Sequence, residues 1–136
     1  MPSLSFPARF ENLDEIREFV AEIARMGGFS EKAVYSLQLA TDEAATNIIE
    51  HAYGGESDDL LDLTCEMRGD EIVIILHDRG KPFNPASVKE PNLSADLASR
   101  QVGGLGIYLM RKLMDSVSYD IDPRTGNRLS MTKRRD

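Results

Sequence analysis

A chain of 136 residues suits one domain with a single hydrophobic core. With 23 acidic against 16 basic residues the net charge is −7, which argues against a nucleic-acid partner held by a broad basic surface. No apolar run approaches the roughly 20 residues of a bilayer span, and residues 1–6 lack a basic stretch followed by an apolar core, so the expectation is a cytoplasmic protein, neither exported nor in a membrane.

In chain order, residues 3–10 can form a short edge strand, although Pro7 interrupts its donors. Asn12 with Glu15 has the spacing of a capping box, and Leu13, Ile16, Val20, Ile23 and Ala24 recur near helical spacing up to Gly27-Gly28. Ser30 can cap a second helix running to about Tyr53, with Val34, Leu37, Thr41, Ala44, Ile48 and Ala52 as its apolar stripe. The period then changes to two. Leu61, Leu63, Cys65 and Met67 alternate with polar residues, Gly69-Asp70 turns the chain, and Ile72, Ile74, Leu76 and Asp78 share one face of a second strand. Val73 and Ile75 make its other face apolar too, which suits a central strand with a covered second face. Cys65 reads as a small core or edge residue in a reducing compartment. Residues 79–102 lose periodicity, and a connection this long in a small domain signals function or mobility. A helix from Gly104, a strand near Val117–Asp122, a turn at 122–127 and a last strand at Arg128–Lys133 complete the chain. The basic cluster Lys133-Arg134-Arg135 reads as a solvated tail. Helices first, then strands with one inserted helix, imply an α+β two-layer sandwich with helices on one face of a mixed sheet.

Three short patterns carry chemistry, each with a bland counterpart. Glu43, Asn47 and His51 lie at i, i+4 and i+8 on the second helix and share a face, which is either a solvated stripe or the wall of a cleft. In a cleft, the Asn47 carbonyl oxygen suits Mg²⁺, and Glu43 could deprotonate a nucleophile beside a γ-phosphate. Asp78 is either the start of a turn or a buried strand-end carboxylate awaiting donors such as an adenine amino group, with Gly80 letting the backbone pass close under the base. Gly103-Gly104-Leu105-Gly106 opens a helix, so it is either a packing hinge or a phosphate cradle. No Gly-Lys-Ser/Thr follows it, which excludes a P-loop, and no parallel βαβ pattern surrounds it.

With these residues in place, the chain resembles the GHKL ATPase superfamily with its Bergerat (histidine-kinase-like ATPase) fold, and most of all the bacterial anti-sigma-factor serine/threonine kinases. Residues 43–47, Glu-Ala-Ala-Thr-Asn, match the N box; residues 78–82, Asp-Arg-Gly-Lys-Pro, match the first glycine box; residues 103–106 match the second. The stretches 47–55 and 126–131 add the flavour of the small kinases, and the likeness spans roughly residues 10 to 133. It implies ATP and Mg²⁺ as cofactors, Asn47 as the Mg²⁺ ligand, Glu43 as the base toward a serine or threonine hydroxyl and Asp78 as the adenine contact. It also implies that Gly80 lines the base pocket, that Gly103, Gly104, Leu105 and Gly106 meet phosphates, and that residues 84–102 form the ATP lid of a single domain. His51 is assigned to the cleft rim near the phosphates, whereas His77 reads as an ordinary strand residue. The implied partners are a STAS-domain anti-sigma-factor antagonist, as phosphoacceptor, and a sigma factor, sequestered by a homodimer. Pro82 departs from the wider superfamily, which usually has its second glycine there.

The competing reading is a nucleotide-gated partner-binding regulator with little or no kinase activity. It uses the same ATP site but needs no base, so the presence of Glu43 favours the kinase.

Overall fold

A computed structural model describes residues 3–82 and 104–135, and of residues 104–107 the backbone alone. Strand β1 (Ser3–Pro7) leads through a 3₁₀ turn, Phe10–Asn12, into α1 (Leu13–Met26) and α2 (Glu31–Asn47), which continues as a π-helical turn, Ile48–Ala52. Strands β2 (Leu60–Arg68) and β3 (Glu71–Asp78) follow, then α3 (Gly104–Leu113), β4 (Ser116–Asp122) and β5 (Gly126–Arg134). Among the described residues no helix is long and apolar enough to cross a membrane.

The five strands form one sheet in the order β1-β2-β3-β5-β4. Every described pairing is antiparallel, which corrects the expectation of a mixed sheet. The reason lies in which arm of the last hairpin meets β3. Strand β5 brings buried Asn127, Leu129 and Met131, whereas β4 is largely exposed, so the apolar arm takes the inner place and runs against β3. Leu61, Leu63, Cys65, Ile72, Ile74 and Leu76 form the inner face of the sheet and pack with Ile16, Val20, Val34, Leu37, Ala44 and Met110 of the helices. This is the two-layer arrangement expected from the pattern. The other face of β3 is less apolar than the sequence suggests: Val73 is buried by the chain itself, Ile75 is half-buried, and their cross-strand neighbours Thr64, Glu66, Ser130 and Thr132 are polar.

The ends of the helices follow local chemistry, with one exception. Ser30 is extended and its hydroxyl oxygen accepts from the Ala33 N–H at 3.2 Å, so Ser30→Ala is expected to cost about 1 kcal/mol, measurable as a lower urea midpoint at unchanged slope. Asn12, by contrast, is helical and makes no cap; its side chain donates to the Pro7 carbonyl at 2.8 Å. The preceding 3₁₀ turn absorbs this position into the helical run, and the capping box does not form. At the other end of α1, Gly28 adopts φ +87°, a left-handed value that stops the helix.

The basic C-terminal cluster is not a free tail. Lys133 Nζ donates to the Leu113 carbonyl at 3.0 Å, closing α3, and the Arg135 guanidinium donates to the Gly27 carbonyl at 2.9 Å, closing α1. Cations at carbonyl ends of helices also complement the helix dipole.

Candidate functional site

The site lies where the end of α2, the end of β3 and the start of β5 meet. Thr41 spends its hydroxyl on the Leu37 carbonyl at 2.8 Å, and the stripe Val34, Leu37, Thr41, Ala44, Ile48 and Ala52 is buried throughout. Asn47 is only 8 % exposed, so the solvated-stripe reading fails at this position. Its Nδ2 is buried and has no hydrogen-bond partner among the described residues. A buried amide without partners is costly unless a ligand completes it. Glu43, one turn earlier, is half-buried. Burial first, then the Asp42 and Glu50 carboxylates, raise its carboxyl above the usual glutamate range. Asp42 is itself bonded to Arg17 of α1, which also binds Asp14.

After Asn47 the helix widens into the π turn, whose Ile48 and Ala52 still line the cavity beside Asn47. His51 sits half-buried on this turn and is not among the residues lining the cavity beside Asn47. The turn's last residues hold the exit of β3. Ala52 accepts the Lys81 N–H at 2.7 Å, and the Tyr53 hydroxyl donates to the Leu60 carbonyl at 2.6 Å and accepts from the Arg79 N–H at 3.0 Å. Gly80 passes so close to this turn that a Cβ there would lie 2.4 Å from the Ala52 oxygen. Its lack of a side chain thus serves the helix end it touches.

Asp78 is 2 % exposed and its Oδ1 accepts from the Gly80 N–H at 2.9 Å, the local bond of a turn-starting Asp. It also accepts from Asn127 Nδ2 at 2.9 Å, and the same amide donates to the Gly80 carbonyl at 3.0 Å. Asp78, Asn47, Ala44, Ile48, Ala52, Met110, Tyr119 and Leu129 line one small cavity of about 20 Å³, room for about one water. The structure therefore brings Asn47 and Asp78 together on an apolar wall. Gly104, Leu105 and Gly106 form the first turn of α3, where backbone N–H groups have no intrahelical acceptor. Gly103 and the stretch assigned to the lid, 84–102, lie outside the described residues.

Sequence reasoning missed Asn127 and the role of Tyr53. Asn127 was findable, because it shares inward parity with Leu129 and Met131 and is thus a polar residue at a core-facing position. His77 is also more than an ordinary strand residue. Its Nδ1 lies 3.4 Å from Asp62 and its Nε2 meets the Thr125 carbonyl, tying β2 to the last hairpin behind Asp78.

Residues 6–133 match the histidine kinase-like ATPase domain. The chain belongs to this family. Within the histidine kinase-like ATPases, it is 36% identical over 138 residues to the serine-protein kinase RsbW of Bacillus licheniformis, covering 93% of this chain and 81% of that one. It is 31% identical over 135 residues to RsbW of Listeria innocua, covering 96% and 85%. Among solved structures, one of the RsbU and RsbW domains of Rv1364c from Mycobacterium tuberculosis superposes with a TM-score of 0.68 at 16% identity, covering 99% of this chain and 33% of that one. The catalytic domain of histidine kinase ThkA gives 0.56 at 14% identity, covering 99% and 98%. The likeness to both structures is one of fold, and it agrees with the two-layer architecture of this histidine kinase-like ATPase.

Proposed function

We propose that the protein is an ATP-dependent serine/threonine protein kinase that acts as an anti-sigma factor in the cytoplasm. It phosphorylates a hydroxyl on a STAS-domain antagonist and, as a homodimer, sequesters a sigma factor. The observation that carries the reading is the meeting of Asn47 and Asp78 in one cavity, with Glu43 half-buried a helical turn away. The serine-protein kinase names of relatives at 31% and 36% identity support the same activity.

In this reading Asp78 accepts the adenine amino group, and the first turn of α3 receives phosphate oxygens on its free N–H groups. Among the described residues no cluster of three or more His, Cys, Asp or Glu side chains could hold a metal. Mg²⁺ takes few protein ligands and completes its shell with phosphates and water, so one amide oxygen is a fitting protein donor. Asn47 Oδ1 is the oxygen that would hold it, with the charge of the ion offsetting that of the phosphates. Glu43, its carboxyl raised above the usual glutamate range chiefly by burial, takes the proton of the attacking hydroxyl.

Asp78→Ala is expected to weaken ATP binding by roughly one to two orders of magnitude, since a charge-assisted hydrogen bond contributes about 1.5–3 kcal/mol. Titration calorimetry measures this directly, and undiminished affinity would remove Asp78 from the base pocket. Incubation with labelled ATP and STAS proteins of the same genome tests the acceptor.

A further inference from the structure

Two donors converge on one oxygen of the Asp78 carboxylate. Oδ1 receives two donors, the Gly80 N–H and Asn127 Nδ2, each at 2.9 Å. Both donors meet the same oxygen, and Asp78 faces the cavity shared with Asn47. The two oxygens of a carboxylate are chemically equivalent, so the surroundings decide which one meets a ligand. Asn127 is 2 % exposed and spends both amide protons, one on Asp78 and one on the Gly80 carbonyl at 3.0 Å. Turning the amide would break both bonds and set its oxygen against two acceptors.

We propose that Asn127 is a positioning residue that sets base specificity: by fixing Asp78 Oδ1 it dedicates Oδ2 to an exocyclic amino group, so the pocket accepts a 6-aminopurine nucleotide and rejects a 6-oxopurine. This rests on the reading of Asp78 as the base acceptor. Rejection is physical, because a 6-oxo group would face a carboxylate oxygen with no proton between them. The arrangement also makes a prediction about Asp78→Asn. Two donors aimed at one atom oblige the amide installed at position 78 to turn its oxygen toward them and its NH₂ toward the base. The outward atom changes from acceptor to donor, and the preference inverts. Without Asn127 only the Gly80 N–H orients that amide, and the inversion shrinks.

The test is calorimetry on the full chain with ATP and ITP, which differ at position 6 of the purine. Wild type, D78A, D78N, N127A, N127S and D78N/N127A are compared, with thermal melts to confirm folding. N127S retains a hydroxyl donor and guards against simple loss of fold. The expected results are an ATP preference in wild type, a preference for ITP in D78N, and a reduced inversion in D78N/N127A. N127A and N127S should bind ATP about tenfold more weakly, a step of about 1.4 kcal/mol, with a compressed ATP/ITP ratio and near-normal kcat at saturating ATP. Folded N127A and N127S proteins with a wild-type ATP/ITP ratio would overturn the role of Asn127, even where D78A loses ATP. Wild-type ATP affinity in D78A would instead overturn the underlying reading of Asp78.

Discussion

Glu43→Gln is expected to lower phosphotransfer to a protein acceptor by about 10²–10⁴-fold, the range for loss of a general base, while ATP titrates as in wild type. The amide keeps the size of the side chain and removes only its basicity. The carboxyl is raised chiefly by burial, with Asp42 and Glu50 adding repulsion, so the acid limb of the rate profile should lie above the ordinary glutamate range. Glu50 is exposed, and E50Q removes one repelling charge, which should move that limb to lower pH. The sign for stability is the reverse of that for a paired carboxylate. A raised folded-state value means that the native protein holds the proton more tightly than the unfolded chain. Ionising Glu43 therefore costs stability, and the cost develops as pH rises from the ordinary glutamate value through the raised one. Melts of wild type and E43Q should coincide at acid pH and separate toward neutrality, with E43Q the more stable. Unchanged turnover in E43Q would exclude Glu43 as the base.

Gly80→Ala should damage fold and site together. The added Cβ would lie 2.4 Å from the Ala52 oxygen, 2.6 Å from its carbonyl carbon and 2.9 Å from Tyr53 Cδ1. Two of these atoms are backbone at the end of a buried helix, so the strand exit must lift instead. Lifting endangers the Lys81 N–H bond to Ala52, the Arg79 N–H bond to Tyr53 and the Gly80 N–H bond to Asp78. Steric overpacking of about 1–3 kcal/mol and three hydrogen bonds of about 1 kcal/mol each give a loss of roughly 4–6 kcal/mol. That corresponds to a melting temperature lower by about 10 °C or more. ATP affinity should fall with it, because Asp78 loses a donor that orients it. A wild-type melt and affinity would show that this close approach is not needed.

Much of this arrangement was legible because it depends on period. The inward parity of Ile72, Ile74 and Leu76 already placed Asp78 on the core face, and the stripe on α2 is buried residue for residue. What was not legible is non-local or competitive. The pairing of β3 with β5 rather than β4 depends on which hairpin arm is more apolar in its final setting. The Asn12 box was lost to a local alternative, the 3₁₀ turn and a bond to Pro7. The hold of the π turn on residues 79–81 comes from contacts across more than 25 positions, which no short window contains. The Lys133 and Arg135 caps have the same origin: helix ends and cations far apart in sequence meet only once the sheet is formed.

The central place of β5 has a kinetic meaning. Asp78 and Asn127 are direct partners in the β3–β5 register, although 49 positions separate them. Joining such distant segments carries a loop-closure entropy that the β2–β3 hairpin, turned at Gly69-Asp70, largely avoids. The β3–β5 pairing and the assembly of the Asp78 site are then one event. In the proposed reading a nucleotide held by Asp78 would bind only chains that have completed this pairing, so ATP should protect the β3–β5 amides from hydrogen exchange and slow proteolysis of the opened state. Occupancy of the pocket would thereby act as a checkpoint on the maturity of the fold.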